Sequence, residues 1–236
     1  MIQLFVVFHK HIFDECYKYI PPDILQNYFT FFAVNESIPK EYTPNKYKIV
    51  NEWELPIYDK SFQEKGYREN SALYHVYANK LHAPYTHVGF FQYDMIFNDN
   101  IVDFIQTRLT GRPIYFPFEL RDFLFCSDGT WNEPRTSEFV IRDYEAYFHT
   151  TFRKDTPLPL YNSYVISIEI YEKVMGWIVQ LYDKLYPWCI QPPNQTHHGH
   201  IAGIYERIMA YAIGQEPLLA AMVNISHREE LKEKCY

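Results

Sequence analysis

Asp94 is the residue whose type and place most plainly suggest chemistry. It comes after the apolar run Val88-Gly89-Phe90-Phe91, with Gln92 and Tyr93 between. A run of this length, bounded by Pro84 and by Asn98-Asp99-Asn100, predicts a central strand rather than a helix. Ligands of open α/β sheets bind at the carboxyl ends of the strands, which is where Asp94 would stand. A carboxylate among bulky apolar neighbours is costly without a partner. A divalent cation holding a phosphate is one such partner. The plain alternative is a turn or a cap for a helix opened by Asn98-Asp99-Asn100.

Three more groups of residues can do chemistry. His197, His198 and His200 lie in one Pro- and Asn-containing loop, and neutral imidazoles bind metals. Neighbouring histidines rarely all reach one ion, so one or two would serve. A polar loop with structural hydrogen bonds is the alternative. His9, Lys10 and His11 come directly after the apolar run Gln3–Phe8 and would line a nucleotide pocket at that strand's carboxyl end. A solvated basic loop is the bland reading. Arg68 lies just before a helix that Asn70 or Ser71 would cap. Its donors and the free backbone N–H groups would converge on a phosphate or sugar, unless it only pairs with Glu64 or Glu69. The stretch Glu119–Trp131 mixes acids, Asp128 among them, with aromatics, as sugar sites do and as ordinary packed loops do.

The elements that must position these groups are set by periodicity and punctuation. Gln3–Phe8 and Tyr28–Val34 read as strands covered on both faces. Asp14–Ile20 reads as a short helix stopped by Pro21-Pro22. Residues 35–51 read as a surface connection, and Trp53–Tyr58 as a short extended piece. Ala72, Leu73, Val76, Tyr77 and Leu81 mark one helical face leading into the central strand, a strand–helix–strand unit of parallel sense. Further helices are expected at 101–109, closed by Gly111, and around Val140–Phe148. The segment from Ile170 to Leu185 reads as a helix stopped by Pro187, and Ile201–Ala212 as another. Strands are expected over Pro113–Phe118 and Tyr161–Ile168. The tail from Ser226 reads as a surface helix.

Composition bounds the rest. At 236 residues with 47% hydrophobic content, one domain with an ample core is expected. A net charge of −7 and the lack of a basic run argue against nucleic acid as a partner. Cys16, Cys126, Cys189 and Cys235 have no CxxC spacing, which favours a reducing compartment over a zinc or disulfide framework. No run approaches membrane-spanning length, so any membrane contact would be peripheral and a cytoplasmic location is expected.

Five segments in order carry a resemblance: VVFHK (Val6–Lys10), YRENSALYHVYAN (Tyr67–Asn79), THVGFFQYDMIF (Thr86–Phe97), YNSYVISIEIYEKVMGWI (Tyr161–Ile178) and GHIAGIYERIMAYAI (Gly199–Ile213). Together they resemble the small GT-A-type glycosyltransferases found in bacterial polysaccharide loci and large DNA viruses. If viral, the chain would work in host cytoplasm. The resemblance implies an α/β fold, a mixed, mainly parallel sheet flanked by helices. It implies one GT-A-like domain over 1–236, with a donor-nucleotide half over about 1–110 and an acceptor half over about 111–236. The family's DxD slot falls on Gln92-Tyr93-Asp94, with Gln92 in place of the first carboxylate. The resemblance also implies that a C-terminal histidine, His197, His198 or His200, completes the metal site, and that Arg68 contacts the donor.

The resulting expectation is sugar transfer from a nucleoside diphosphosugar, a UDP sugar first, to a glycan or glycoprotein acceptor. Mn²⁺ or Mg²⁺ would stabilise the leaving diphosphate. His9, Lys10, Arg68, Asn70, Gln92 and Tyr93 would line the donor site. Asp128 or Glu206 would be the catalytic base of an inverting reaction. A binding module without turnover and a metal-dependent phosphoester hydrolase are the two competing readings.

Overall fold

The computed structural model describes residues 1–35, 46–97, 114–115, 134–153, 156, 162–191, 200–216, 219–220 and 225–227. Its frame is a seven-stranded sheet. The strands are β1 (Ile2–Phe8), β2 (Phe29–Ala33), β3 (Ile49–Asn51), β4 (His87–Gln92), β6 (Ile114–Tyr115), β7 (Tyr164–Ser167) and β8 (Leu219–Ala220), in the order β3-β2-β1-β4-β7-β6-β8. The pairs β1–β2, β1–β4 and β2–β3 are parallel, and β7 runs antiparallel to both β4 and β6. The mixed, mainly parallel α/β sheet expected from the sequence is therefore present. A two-stranded ribbon joins β5 (Met95–Phe97) to β9 (Ile225–His227).

Every residue of β1 is buried, because the sheet is covered on both sides. Phe5 and Val7 face the layer formed by α3 (Asn70–Ala78), α4 (Pro134–Phe148), α5 (Ile168–Ile190) and α6 (His200–Gly214). Leu4, Val6 and Phe8 face the opposite layer, with α1 (Pro22–Tyr28) and β5. Phe5 stacks on Phe90 at 5.3 Å and meets Phe32 edge-on at 6.4 Å, linking three parallel strands on one face. Cys16 and Cys189 are buried. Among the described residues no helix is long and apolar enough to cross a membrane.

Gly89 sits where neighbouring strands crowd β4. A Cβ there would come within 2.7 Å of Leu4 Cδ2, 2.9 Å of Val165 Cγ2 and 3.1 Å of the Tyr164 carbonyl oxygen. Two of these neighbours are fully buried side-chain ends and the third is backbone, so little can yield. Gly89→Ala is expected to destabilise the fold by about 1–3 kcal/mol through overpacking, read as a lowered denaturation midpoint in urea. An unchanged midpoint would show that the strands can part there.

Several expectations are corrected. Asp14–Tyr17 is only a 3-10 turn, and Pro22 opens α1 rather than stopping a helix. A proline fits the first helical turn because its missing N–H would be unpaired there. The connection after β2 contains an edge strand, β3, and Glu52–Glu54 is a 3-10 turn rather than an extended piece. Neither Asn70 nor Ser71 caps α3. Both are buried inside it, and the cap position, Glu69, makes no side-chain capping bond. Helix α5 runs through Pro187 to Ile190. The proline loses a backbone bond in the last turn only, while Leu181, Leu185 and Cys189 keep one buried face continuous. The tail around Ser226 is a strand, held by its ladder to β5, not a helix. The expected helix at 101–109 and the acid–aromatic stretch 119–131 lie outside the described residues.

Candidate active site

Strands β1 and β4 end together, since Val7 pairs with Gln92. From β1 the chain turns to β2 on one side, while β4 lies on the other. That reversal of strand order is where open α/β sheets bind ligands. Beyond β1 come His9 and Lys10, both partly buried, and exposed His11. Beyond β4 come Tyr93 and Asp94, in the tight turn that leads to β5. Asp94 is 3% exposed. The Tyr17 hydroxyl donates to the Tyr93 carbonyl at 3.2 Å, and the Tyr93 ring meets His9 edge-on at 5.1 Å and stacks on Phe13 at 5.8 Å. The turn carrying Asp94 is thus held from both strand ends.

Charge at this site is mixed but leans positive. Burial holds the His9 imidazole below its ordinary pKa, and the nearby cations Lys10 and Arg68 lower it further, while Asp94 opposes them. A neutral His9 still offers one N–H to an anion. Burial raises the Glu69 carboxyl, with Arg68 opposing and Asp94 adding to the shift. His9, Lys10, Arg68 and Asp94 therefore share one electrostatic neighbourhood.

Arg68 is exposed and left-handed, with φ of 51°, in the turn between α2 (Ser61–Glu64) and α3. Among the described residues it makes no ion pair within 4 Å, Glu64 lying 3.9 Å from Lys60 instead, although its charge is felt at Glu69. A buried polar network supports this turn. Glu52, fully buried after β3, accepts hydrogen bonds from Asn35 N at 3.0 Å, Gln63 Nε2 at 2.8 Å and Ser71 Oγ at 2.6 Å. His75 Nε2 accepts the Asp59 N–H at 2.9 Å, which assigns the ring proton to Nδ1, 2.9 Å from the Ser71 carbonyl oxygen. Gln63 Nε2 also reaches the Arg68 carbonyl at 3.5 Å. Glu52 had no local signal in the sequence, because its three donors come from three separate segments.

Asn70 is fully buried, and its Nδ2 donates to the Ala202 carbonyl of α6 at 2.9 Å. It works as a tie between helices. Through that tie the start of α6 stands beside the start of α3. His200 is the first residue of α6, and Glu206, half-buried, lies one turn beyond Ala202. Asp128, His197 and His198 lie outside the described residues. The β5–β9 ladder places the backbone of His227 opposite Met95, next to Asp94. That pairing has no signal in the sequence, because strand pairing between distant segments leaves no local mark.

Gln92 is partly buried and offers only a neutral amide oxygen. Among the described residues no three His, Cys, Asp or Glu side chains are grouped to hold a metal ion by themselves. The residues fit a sparser arrangement, in which Asp94 is the one protein carboxylate and the ligand's phosphates supply other oxygens. A separate hollow of about 870 Å³ lies against α1, lined by Asp14, Lys18, Leu25 and Lys46 among others. Asp14 is already engaged there by Tyr47 and Lys46.

No family model and no curated protein matches the chain by sequence. By structure it is similar to the apo form of the WbbM bifunctional glycosyltransferase, with a TM-score of 0.59 and 14% identity over 97% of this chain. The chain spans 45% of that protein's length. It also overlaps the apo crystal structure of mouse xyloside xylosyltransferase 1, with a TM-score of 0.45 and 14% identity over 94% of this chain and 84% of that one. The fold assignment rests on the first of these. The architecture is of the GT-A type, a mixed, mainly parallel sheet flanked by helices.

Proposed function

We propose that this chain is a glycosyltransferase acting on a nucleoside diphosphosugar, with UDP as the nucleotide and a glycan or glycoprotein as acceptor. One observation carries the reading: His9 and Lys10 follow β1 and Asp94 follows the adjacent end of β4, at the strand-order reversal of a GT-A fold, with the charge of Arg68 felt at His9. Negative charge grows on the diphosphate as the glycosyl bond breaks, and groups already oriented towards it lower the barrier. His9 and Lys10 act from the end of β1, and Arg68 from its left-handed turn. Gln92 and Tyr93 stand at the same strand end as Asp94. Asp94 would hold a divalent ion, Mn²⁺ or Mg²⁺, with His197, His198, His200 or His227 as candidates for a nitrogen ligand. Such an ion supplies Lewis-acid stabilisation of the departing phosphate oxygens. In an inverting course Glu206 or Asp128 takes the acceptor proton. The donor half is residues 1–110 and the acceptor half 111–236.

Calorimetric titration of the chain with UDP and UDP sugars tests the reading. Arg68→Ala is expected to weaken UDP binding by about 1–3 kcal/mol, the loss of a charge-assisted hydrogen bond. Unchanged affinity in the folded variant would remove Arg68 from the site. Failure of the wild type to bind any nucleoside diphosphate would overturn the function. Gln92, a neutral residue in a slot where a second carboxylate would strengthen metal binding, favours a second reading, a module that binds without turnover. Release of free sugar from the donor in Mn²⁺ separates the two.

A further inference from the structure

Asn162 lies two residues before β7. It is 5% exposed, and its backbone is left-handed with φ of 46°. Among the described residues neither its Oδ1 nor its Nδ2 has a hydrogen-bond partner. Buried polar atoms are paired in the great majority of cases, so a carboxamide unmatched at both ends calls for a reason. Two other buried amides leave their oxygen unmatched but use their nitrogen: Gln3 Nε2 donates to the Tyr28 carbonyl at 2.8 Å, and Asn70 Nδ2 to the Ala202 carbonyl at 2.9 Å. Left-handed non-glycine residues and unmet polar groups gather at ligand sites, where the bound molecule completes them.

Its position points to the same site. The β4–β7 ladder ends at the pair Phe90–Tyr164. Gln92 and Asn162 each lie two residues past that pair, at the carboxyl edge of β4, where the chain goes on to Tyr93 and Asp94. A phosphate offers acceptors only and would satisfy Nδ2 alone. A sugar hydroxyl both donates and accepts, so vicinal hydroxyls satisfy both ends of the carboxamide. We propose that Asn162 is a specificity-determining residue that reads hydroxyl groups of the transferred sugar. The inference rests on the glycosyltransferase reading and deepens it: the cationic strand ends hold the diphosphate, and Asn162 selects what is attached to it.

The test compares UDP with a panel of UDP sugars, in calorimetry and thermal melts of the full chain. Asn162→Gly keeps the left-handed backbone without strain and removes the carboxamide. It is expected to leave UDP affinity unchanged and to weaken the best-binding UDP sugar about tenfold or more, the equivalent of one to two hydrogen bonds. The melting temperature should hold or rise, because an unpaired buried polar group is removed. Asn162→Asp keeps the shape but loses the donor, and should change the order of preference among the sugars. Equal loss for UDP and UDP sugar, or no loss for either, overturns the assignment. So does a fall in melting temperature with binding intact, which would mark a structural role. If the wild type binds UDP but no UDP sugar more tightly, the sugar-reading role fails while nucleotide binding stands. If it binds neither, the glycosyltransferase reading itself fails.

Discussion

Asp94→Asn is expected to abolish the coupling between Mn²⁺ and UDP while leaving the fold intact. Asparagine keeps the shape of the side chain in the Tyr93-Asp94 turn and removes its charge. With Gln92 neutral, Asp94 is the one carboxylate of the Gln92-Tyr93-Asp94 slot. Metal binding should accordingly be weak without nucleotide and strengthen when the diphosphate adds its own oxygens. Linkage requires the reverse effect at the same size, so Mn²⁺ should tighten UDP about 5- to 150-fold in the wild type. The variant should bind UDP equally with and without Mn²⁺, and transfer should fall by several orders of magnitude if ion-mediated stabilisation of the leaving group is lost. The melting temperature serves as the control for folding. A wild type whose UDP affinity ignores Mn²⁺ would contradict the metal role, and Asp94 would then be read as an acceptor for a ligand hydroxyl.

Glu206→Gln carries the second large effect. The amide cannot take a proton, so transfer is expected to drop by roughly 10²–10⁴ with UDP binding retained. The expectation comes from the position of Glu206, one turn along α6 from Ala202, whose carbonyl is tied to Asn70 beside Arg68. Its neighbour Arg207 is buried to 9% exposure, and a purely structural role for Glu206 would appear as a fall in melting temperature instead. Asp128→Asn measured in parallel assigns the base if Glu206→Gln retains turnover. If both amide variants keep near-normal rates, the base lies elsewhere or the reaction proceeds with retention.

Much of the candidate site was legible because strand ends are. Val88–Phe91 and Leu4–Phe8 are apolar on both faces, which is a local signal of a buried parallel strand. Each such run marks the polar residues at its carboxyl end as candidates for a ligand site. His9, Lys10, Tyr93 and Asp94 were found that way. Arg68 was found from its place before a helix, although the cap predicted for that helix was wrong. Ser71 and Asn70 have capping side chains, but tertiary partners, Glu52 and Ala202, hold those groups instead.

The sequence by itself determined the sheet-and-helix class, the two-sided burial of β1, β2 and β4, and the faces of α3, α5 and α6. Apolar periodicity is a property of neighbours in the chain, and burial acts on it directly. Tertiary structure decided what depends on segments far apart. It set the strand order that puts β1 beside β4, the crowding that requires glycine at 89, and the buried Glu52 network beneath Arg68. It also paired β9 with β5 beside Asp94 and, among the described residues, left the Asn162 carboxamide unmatched at the sheet edge. Each of these is a matter of which groups meet across space, and a polar residue gives no sign in sequence of whether its partner will be protein, solvent or ligand.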